Sequence, residues 1–252
     1  MEKNSSICDN EVSMVANQLD DSANASVLTK RRNIALIGVY IAGLVILPIV
    51  IMAIIISIRG YSMEYFQGDG FLGILSLTNF LAYVILCTAM VLLTHKVYKQ
   101  DFQKIDSWGR FFKQVGIGLI FTSGLAFFGN TVVMLLGTTE DGLNESALVA
   151  MPIITIIAVV IFAPIVEEII FRLVLMNLFN WKPIHKLIFS SLLFGLSYVI
   201  AGGFLNVIPY FLLGLVLGYF YLKYNNIWQV TIMHVLHNVG TAIILLSLQA
   251  SL

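Results

Sequence analysis

Residues 166–172 read Val-Glu-Glu-Ile-Ile-Phe-Arg and stand in the middle of an apolar segment. The whole chain is 59% hydrophobic and 11% charged, whereas soluble domains have roughly 25% charged residues. Two adjacent carboxylates and a guanidinium at membrane depth cost several kcal/mol even when they are paired, so chemistry or a structural network must account for them. The stretch therefore predicts a polar site inside a membrane protein.

The apolar segments on either side of this stretch predict the rest of the fold. Since about 20 apolar residues make one membrane span, the sequence predicts an all-α, multi-pass transmembrane helix bundle of about seven membrane helices with a polar intramembrane cavity. The fourth helix is long for one span and contains Pro152 and Pro164, so we expect two pieces or a kinked helix. The predicted helices cover residues 34–58, 71–95, 112–137, 148–179, 187–201, 204–222 and 227–249.

The N-terminal 29 residues are polar, mixed in charge and rich in Asn, Ser and Asp. We expect residues 1–29 to form a disordered cytoplasmic tail, because they lack the apolar stretch of a signal peptide, and residues 30–252 to form one integral membrane domain. Eleven of the fourteen basic residues fall in alternate loops on the tail's side. Cytoplasmic loops keep the excess of positive charge, so the sequence predicts a cytoplasmic N-terminus and an external C-terminus.

Charge and cysteine usage exclude several other classes of protein. The formal net charge is zero, which argues against a nucleic-acid partner. Cys8 and Cys87 lie in different environments and give no disulfide framework or paired-thiol metal motif. The expected partners are membrane lipid and a peptide or protein substrate within the membrane, and the sequence leaves the oligomeric state open.

Ionisable residues inside the predicted helices are few and fall in the second half of the chain. Glu168 and Arg172 are four residues apart, so one helix face carries both in the favourable order for an ion pair. Glu167 is rotated by about 100° and can point elsewhere, which leaves it free for acid/base chemistry. The alternative is a Glu-Arg pair that only fastens helices.

The last predicted helix carries His234, His237 and Asn238, of which the first and third share a face. Counting from the presumed cytoplasmic helix ends, Glu167 lies roughly 20 Å and His234 roughly 10 Å into the membrane, so both can meet in one hydrated cavity. A carboxylate there is a candidate general base, and imidazole and amide groups can hold water or an oxyanion. Interhelical hydrogen bonding remains an alternative for the histidine and asparagine.

A metal site is the other open question. The zinc-protease spacing His-Glu-x-x-His is absent from the chain, and His234 and His237 are three residues apart instead of four. No cofactor is certain. A divalent ion such as zinc stays an alternative, with Glu167 and His234 as its ligands.

These motifs resemble the CPBP group of intramembrane endopeptidases, also called the Abi family, which contains CAAX prenyl-protein proteases and bacteriocin-processing or self-immunity proteins. The family motif Glu-Glu-x-x-x-Arg is similar to residues 167–172, and His-x-x-x-Asn is similar to residues 234–238. The resemblance covers roughly residues 150 to 245 in the same motif order. It implies that Glu167, Glu168, Arg172, His234 and Asn238 form the catalytic site. It also implies a location in a bacterial cytoplasmic membrane.

One family motif is altered. Phe-x-x-x-His corresponds to Phe194-Gly195-Leu196-Ser197-Tyr198, so a tyrosine stands where the family has a histidine that is thought to help the first glutamate activate water. A phenol has a pKa of about 10 and is a poor base or ligand at neutral pH. His237 is a candidate substitute for the missing imidazole, and Tyr198 and His237 are therefore auxiliary site residues.

The resemblance implies an intramembrane endopeptidase in which Glu167 activates the attacking water. Its substrates would be membrane-associated peptides or proteins, either of the CAAX type or similar to bacteriocin or pheromone precursors. The alternative is a catalytically impaired relative that acts as a membrane scaffold, regulator or bacteriocin self-immunity protein. A small transporter or channel is a third hypothesis. The prolines of the fourth helix are compatible with it, but the sequence shows no obvious internal repeat of the kind that many transporters have.

Overall fold

The structure is a computed structural model that describes residues 29–60, 69–136, 152–199 and 203–249. The predicted tail lies outside these residues except for Thr29, and so do residues 148–151 of the predicted fourth helix. Seven helices make up the described part of the chain. They are α1 (Lys30–Arg59), α2 (Asp69–Gln103), α3 (Trp108–Leu135), α4 (residues 152–178), α5 (Pro183–Ser197), α6 (Val207–Tyr224) and α7 (Ile227–Gln249).

The multi-pass helical bundle is confirmed. Six of the described helices are long and apolar enough to cross a membrane, and α5, with 15 residues, is the shorter apolar one. Several helix ends differ from the prediction: α2 continues to Gln103 and α3 begins at Trp108. The α3 start is explained by Ser107, whose side chain accepts a hydrogen bond from the backbone N–H of Arg110 at 3.4 Å. Apolar composition locates the membrane-spanning part of a helix, but polar caps decide where the helix ends.

Helix α4 is one run in which α-helical and π-helical segments alternate. The π-helical segments cover Ala158–Phe162 and Ile169–Leu175, on either side of the α-helical segment Ala163–Glu168. π-Bulges are rare and occur frequently at functional sites. The expected irregularity of the fourth helix is therefore present as two widened turns that flank the glutamates.

The core lies around α4, which is buried on every side near its middle. Val166, Ile169 and Val174 are fully buried there, whereas Ile49 of α1 and Ile120 of α3 are more than 60% exposed and belong to the outer, lipid-facing surface. Helix α6 packs against α5 and α3, and α1 packs against α2. The result is a central irregular helix that packs against α1, α2, α5 and α7.

Close packing of α5 against α6 depends on small residues. A Cβ added to Gly195 would lie 2.8 Å from the backbone oxygen of Val207, and one added to Gly214 would lie 3.1 Å from the backbone of Ser191. Small residues let membrane helices approach closely in this way. This contact fixes the end of α5, where Tyr198 follows.

Candidate active site

Helices α4, α5 and α7 bring the candidate site residues together inside the bundle. Helix α4 supplies Glu167, Glu168 and Arg172, the end of α5 supplies Tyr198, and α7 supplies His234. Glu168 and Arg172 have no exposed surface, and His234 is 1% exposed. Three separate segments thus converge on one buried polar cluster.

Glu168 and Arg172 form a fully buried ion pair. The Arg172 Nε donates to Glu168 Oε2 at 3.1 Å. The Arg172 Nη1 also donates to Ser190 Oγ at 3.0 Å, and that hydroxyl donates to the backbone oxygen of Phe171. Ser190 is a partner that our sequence analysis missed; its only signal was a pair of serines in an apolar helix. The i, i+4 spacing predicted the ion pair, but the hydrogen bond from Arg172 to Ser190 depends on how α5 packs on α4.

His234 lies between the two glutamates. Its Nδ1 is 2.8 Å from Glu168 Oε1, and its Nε2 is 3.7 Å from Glu167 Oε2. Because the Glu168 carboxylate is held by Arg172 and accepts hydrogen bonds, the proton on neutral His234 is assigned to Nδ1. The Nε2 of that tautomer then carries a lone pair directed toward Glu167.

Tyr198 contacts the first glutamate directly. Its hydroxyl donates to Glu167 Oε1 at 2.9 Å. Its ring stacks on Tyr210 of α6 with centroids 3.5 Å apart and planes 9° from parallel. The residue that replaces the family histidine is therefore fixed in place by a neighbouring ring and occupies one oxygen of Glu167.

Two cavities meet at Tyr198. Glu167 lines a cavity of about 270 Å³ whose opposite wall comes from α1 and α2 and includes Tyr40, Asn79 and Tyr83. His237 and Asn238 line a second cavity of about 190 Å³. Tyr198 lines both, together with Thr155 and Val159. His237 does not line the Glu167 cavity, so this structure gives it no contact through which to replace the missing imidazole.

The residues of the polar cluster all lie within a stretch of the chain that matches a family model. Residues 149–240 match the family model described as Type II CAAX prenyl endopeptidase Rce1-like. This stretch of the chain is similar to the CPBP group of intramembrane proteases, which supports a protease of that type. The match covers about a third of the chain and includes every candidate site residue. Comparisons with curated proteins and with solved structures found no match.

Asn238, the last residue of the CPBP-like motif on α7, bonds to the backbone of α4. Its Nδ2 donates to the backbone oxygen of Val159 at 3.0 Å. Val159 lies in the first π-helical segment, close to Pro164. The amide nitrogen that the family resemblance assigns to an oxyanion or a water is thus engaged by a carbonyl group in this structure.

The donor set around Glu167 does not resemble a zinc site. Among the described residues, no group of three or more His, Cys, Asp or Glu side chains is arranged to hold a metal ion. Glu168, the carboxylate nearest to Glu167 and His234, is already bonded to Arg172 and to His234 Nδ1. Glu167 and His234 therefore provide two ligands where zinc sites in proteins use at least three, and we derive no catalytic step through a metal.

Proposed function

We propose that the protein is an intramembrane endopeptidase that cleaves membrane-associated peptides or proteins, of the CAAX type or similar to bacteriocin or pheromone precursors. The similarity of residues 149–240 to the Type II CAAX prenyl endopeptidase Rce1-like family supports the general reaction. One observation carries the mechanism: Glu167 Oε2 and His234 Nε2 are 3.7 Å apart, both atoms are buried, and neither has a hydrogen-bond partner among the described residues. Two acceptors at this separation suit one water molecule.

The chemistry follows from the hydrogen-bonding roles of the two residues. A water between them donates one hydrogen to Glu167 Oε2 and the other to His234 Nε2, which leaves its oxygen lone pair free to attack a peptide carbonyl. As the C–O bond forms, Glu167 takes the proton, and it returns that proton to the amine when the C–N bond breaks. Glu168 keeps His234 in the required tautomer, and Arg172 compensates the charge of Glu168.

Substitution of Glu167 by Gln tests the proposal because the amide keeps an acceptor for Tyr198 but is a poor base. General-base assistance is worth about 10²–10⁴ in rate, so we expect cleavage of an internally quenched farnesylated CAAX-type peptide in nanodiscs to fall by at least about 100-fold. Asp106→Asn is the matched control, since Asp106 is an exposed carboxylate in a loop. Unchanged cleavage by the Glu167→Gln variant would remove the mechanism.

A specific observation also favours a second candidate function. The Tyr198 hydroxyl donates a hydrogen bond to Glu167 Oε1, at the position where the resembled family has a second imidazole. This substitution is expected of a relative that no longer cleaves peptides and instead binds a partner as a scaffold, regulator or self-immunity protein. In that case the wild-type protein should leave prenylated and precursor peptides intact, and Glu167→Gln should keep its biological activity. Cleavage of any of these peptides that depends on Glu167 would exclude this candidate.

A further inference from the structure

The hydrogen bond of Asn238 coincides with a missing donor in α4. At the end of the first π-helical segment, the Ala163 N–H donates to the backbone oxygen of Ala158, five residues earlier. The next donor in that pattern would be residue 164, which is a proline and has no N–H. The next acceptor is the carbonyl of Val159, and this carbonyl accepts from Asn238 Nδ2.

A carbonyl without a partner is costly at membrane depth, because lipid offers no hydrogen bond. Membrane helices tolerate proline where a neighbouring side chain satisfies the freed group. We propose that Asn238 is a positioning residue: it replaces the N–H that Pro164 lacks and thereby holds the widened turn that directs Glu167 toward Tyr198 and His234.

The widened turn matters because Glu167 lies only three residues beyond Pro164. A π-turn contains one residue more than an α-turn. If the segment reverted to a regular α-helix, the following residues would rotate by about 100° relative to the preceding ones. Glu167 would then have to give up its contacts with Tyr198 and His234 or strain the helix. The bond between Asn238 and Val159 therefore acts on Glu167 through the backbone.

A double-mutant cycle between the two residues tests this inference. Asn238→Ala, Pro164→Ala and the double variant are compared with the wild type in nanodiscs by hydrogen–deuterium exchange of residues 158–168. Loss of the only side-chain donor to the Val159 carbonyl among the described residues should loosen the widened turn and speed exchange in Asn238→Ala by about tenfold to hundredfold. Alanine at 164 restores an N–H for Val159, so in that background the Asn238→Ala change should alter exchange by less than about twofold.

Thr241→Ala is the matched control. Thr241 lines the same cavity from α7, but its hydroxyl bonds within its own helix, to the backbone oxygen of His237. Exchange of residues 158–168 should be unchanged in this variant. A second variant, Asn238→Leu, keeps a similar side-chain size but has no hydrogen-bond donor at any pH. It should exchange at least as fast as Asn238→Ala, and wild-type protection would overturn the inference even if Pro164→Ala fails to fold.

Peptide cleavage gives a second readout, which rests on the proposed function. If Asn238 acts through Val159, Asn238→Ala lowers kcat with little change in KM, and the loss shrinks when Pro164 is also replaced. An equal loss of kcat in both backgrounds, with unchanged exchange, would mean that Asn238 contacts the substrate and would overturn the inference. Exchange is measured without substrate, so failure of the proposed function leaves that half of the test intact.

Discussion

Replacing Arg172 by methionine should destabilise the protein strongly. The guanidinium is fully buried, donates to Glu168 at 3.1 Å and to Ser190 at 3.0 Å, and lies over the ring of Phe194. Methionine fills much of the space but leaves the Glu168 carboxylate in the core without its cation. Removing one partner of a buried ion pair typically costs about 3–5 kcal/mol of unfolding free energy, and we expect a loss in that range.

The chain contains a matched control for this experiment. Asp106 and Arg110 have the same i, i+4 spacing and the same order of charges, and their nitrogen and oxygen are 2.7 Å apart, but both side chains are about two-thirds exposed. An exposed pair is typically worth about 0.2–1 kcal/mol, so Arg110→Met should cost no more than about 1 kcal/mol. The comparison separates burial from spacing.

The assay is equilibrium unfolding of the full chain in mixed micelles, followed by helical circular dichroism as the denaturing detergent is increased. In the double variant Glu168→Gln and Arg172→Met, the unpaired charge is gone, and part of the lost stability should return. If Arg172→Met costs as little as Arg110→Met, or if the second substitution brings no recovery, the buried pair does not carry the charge compensation that we assign to it.

Further predictions concern Tyr198, Gly195 and the metal question. Tyr198→Phe keeps the stacked ring but loses the hydrogen bond to Glu167, and should lower the unfolding free energy by about 1.5–3 kcal/mol in the same assay. Tyr198→His should raise the rate of peptide cleavage. An unchanged rate would mean that an imidazole at position 198 does not assist Glu167. Gly195→Ala should lower the unfolding free energy by about 1–3 kcal/mol, because its Cβ would lie 2.8 Å from the Val207 oxygen. Gly124→Ala is the control: its Cβ would have nothing within 4 Å, so the unfolding free energy should change by no more than about 0.5 kcal/mol. Equal losses would contradict the close contact of α5 with α6. Cleavage should persist after treatment with a metal chelator, and a loss that added zinc restores would contradict our interpretation of the donor set.

Apolar composition was sufficient to predict the seven described helices in their order. Six of them are long and apolar enough to cross a membrane whatever they pack against, and α5 is shorter. Composition did not predict the interior of α4. Pro164 signalled an irregularity, but the choice between a break, a kink and a widened turn depends on whether a partner exists for the freed carbonyl. That partner is Asn238, which lies 79 residues from Val159 in sequence. Local propensity has no access to such a contact.

The site could be predicted in part for the same reason. The pair of Glu168 and Arg172 follows from helical spacing, which is a local property. Counting residues from the helix ends predicted one cavity for Glu167 and His234. In the structure the two side chains do approach each other, but Glu167 lines a cavity while His234 is buried beside it and lines neither of the two cavities. Depth alone could not show that His234 bonds to Glu168 and only approaches Glu167. The position of Ser190 depends on how α5 rotates against α4. Contacts between side chains of different helices depend on how the helices pack. In the sequence, only the glycines that allow close approach indicate that packing.

The tyrosine at 198 affects Glu167 without filling the proposed water position. The phenol donates to Oε1, whereas the gap to His234 opens from Oε2. A donor on one oxygen stabilises the carboxylate and fixes its orientation, so the exchange of histidine for tyrosine removes an assisting imidazole but keeps an oriented base. His234 is then the only imidazole beside Glu167 among the described residues, and its tautomer depends on Glu168. If the protein cleaves peptides, Glu168→Gln should therefore lower kcat although Glu168 never contacts the water, and a rate unaffected by that change would contradict the chain of bonds from Arg172 to Glu167.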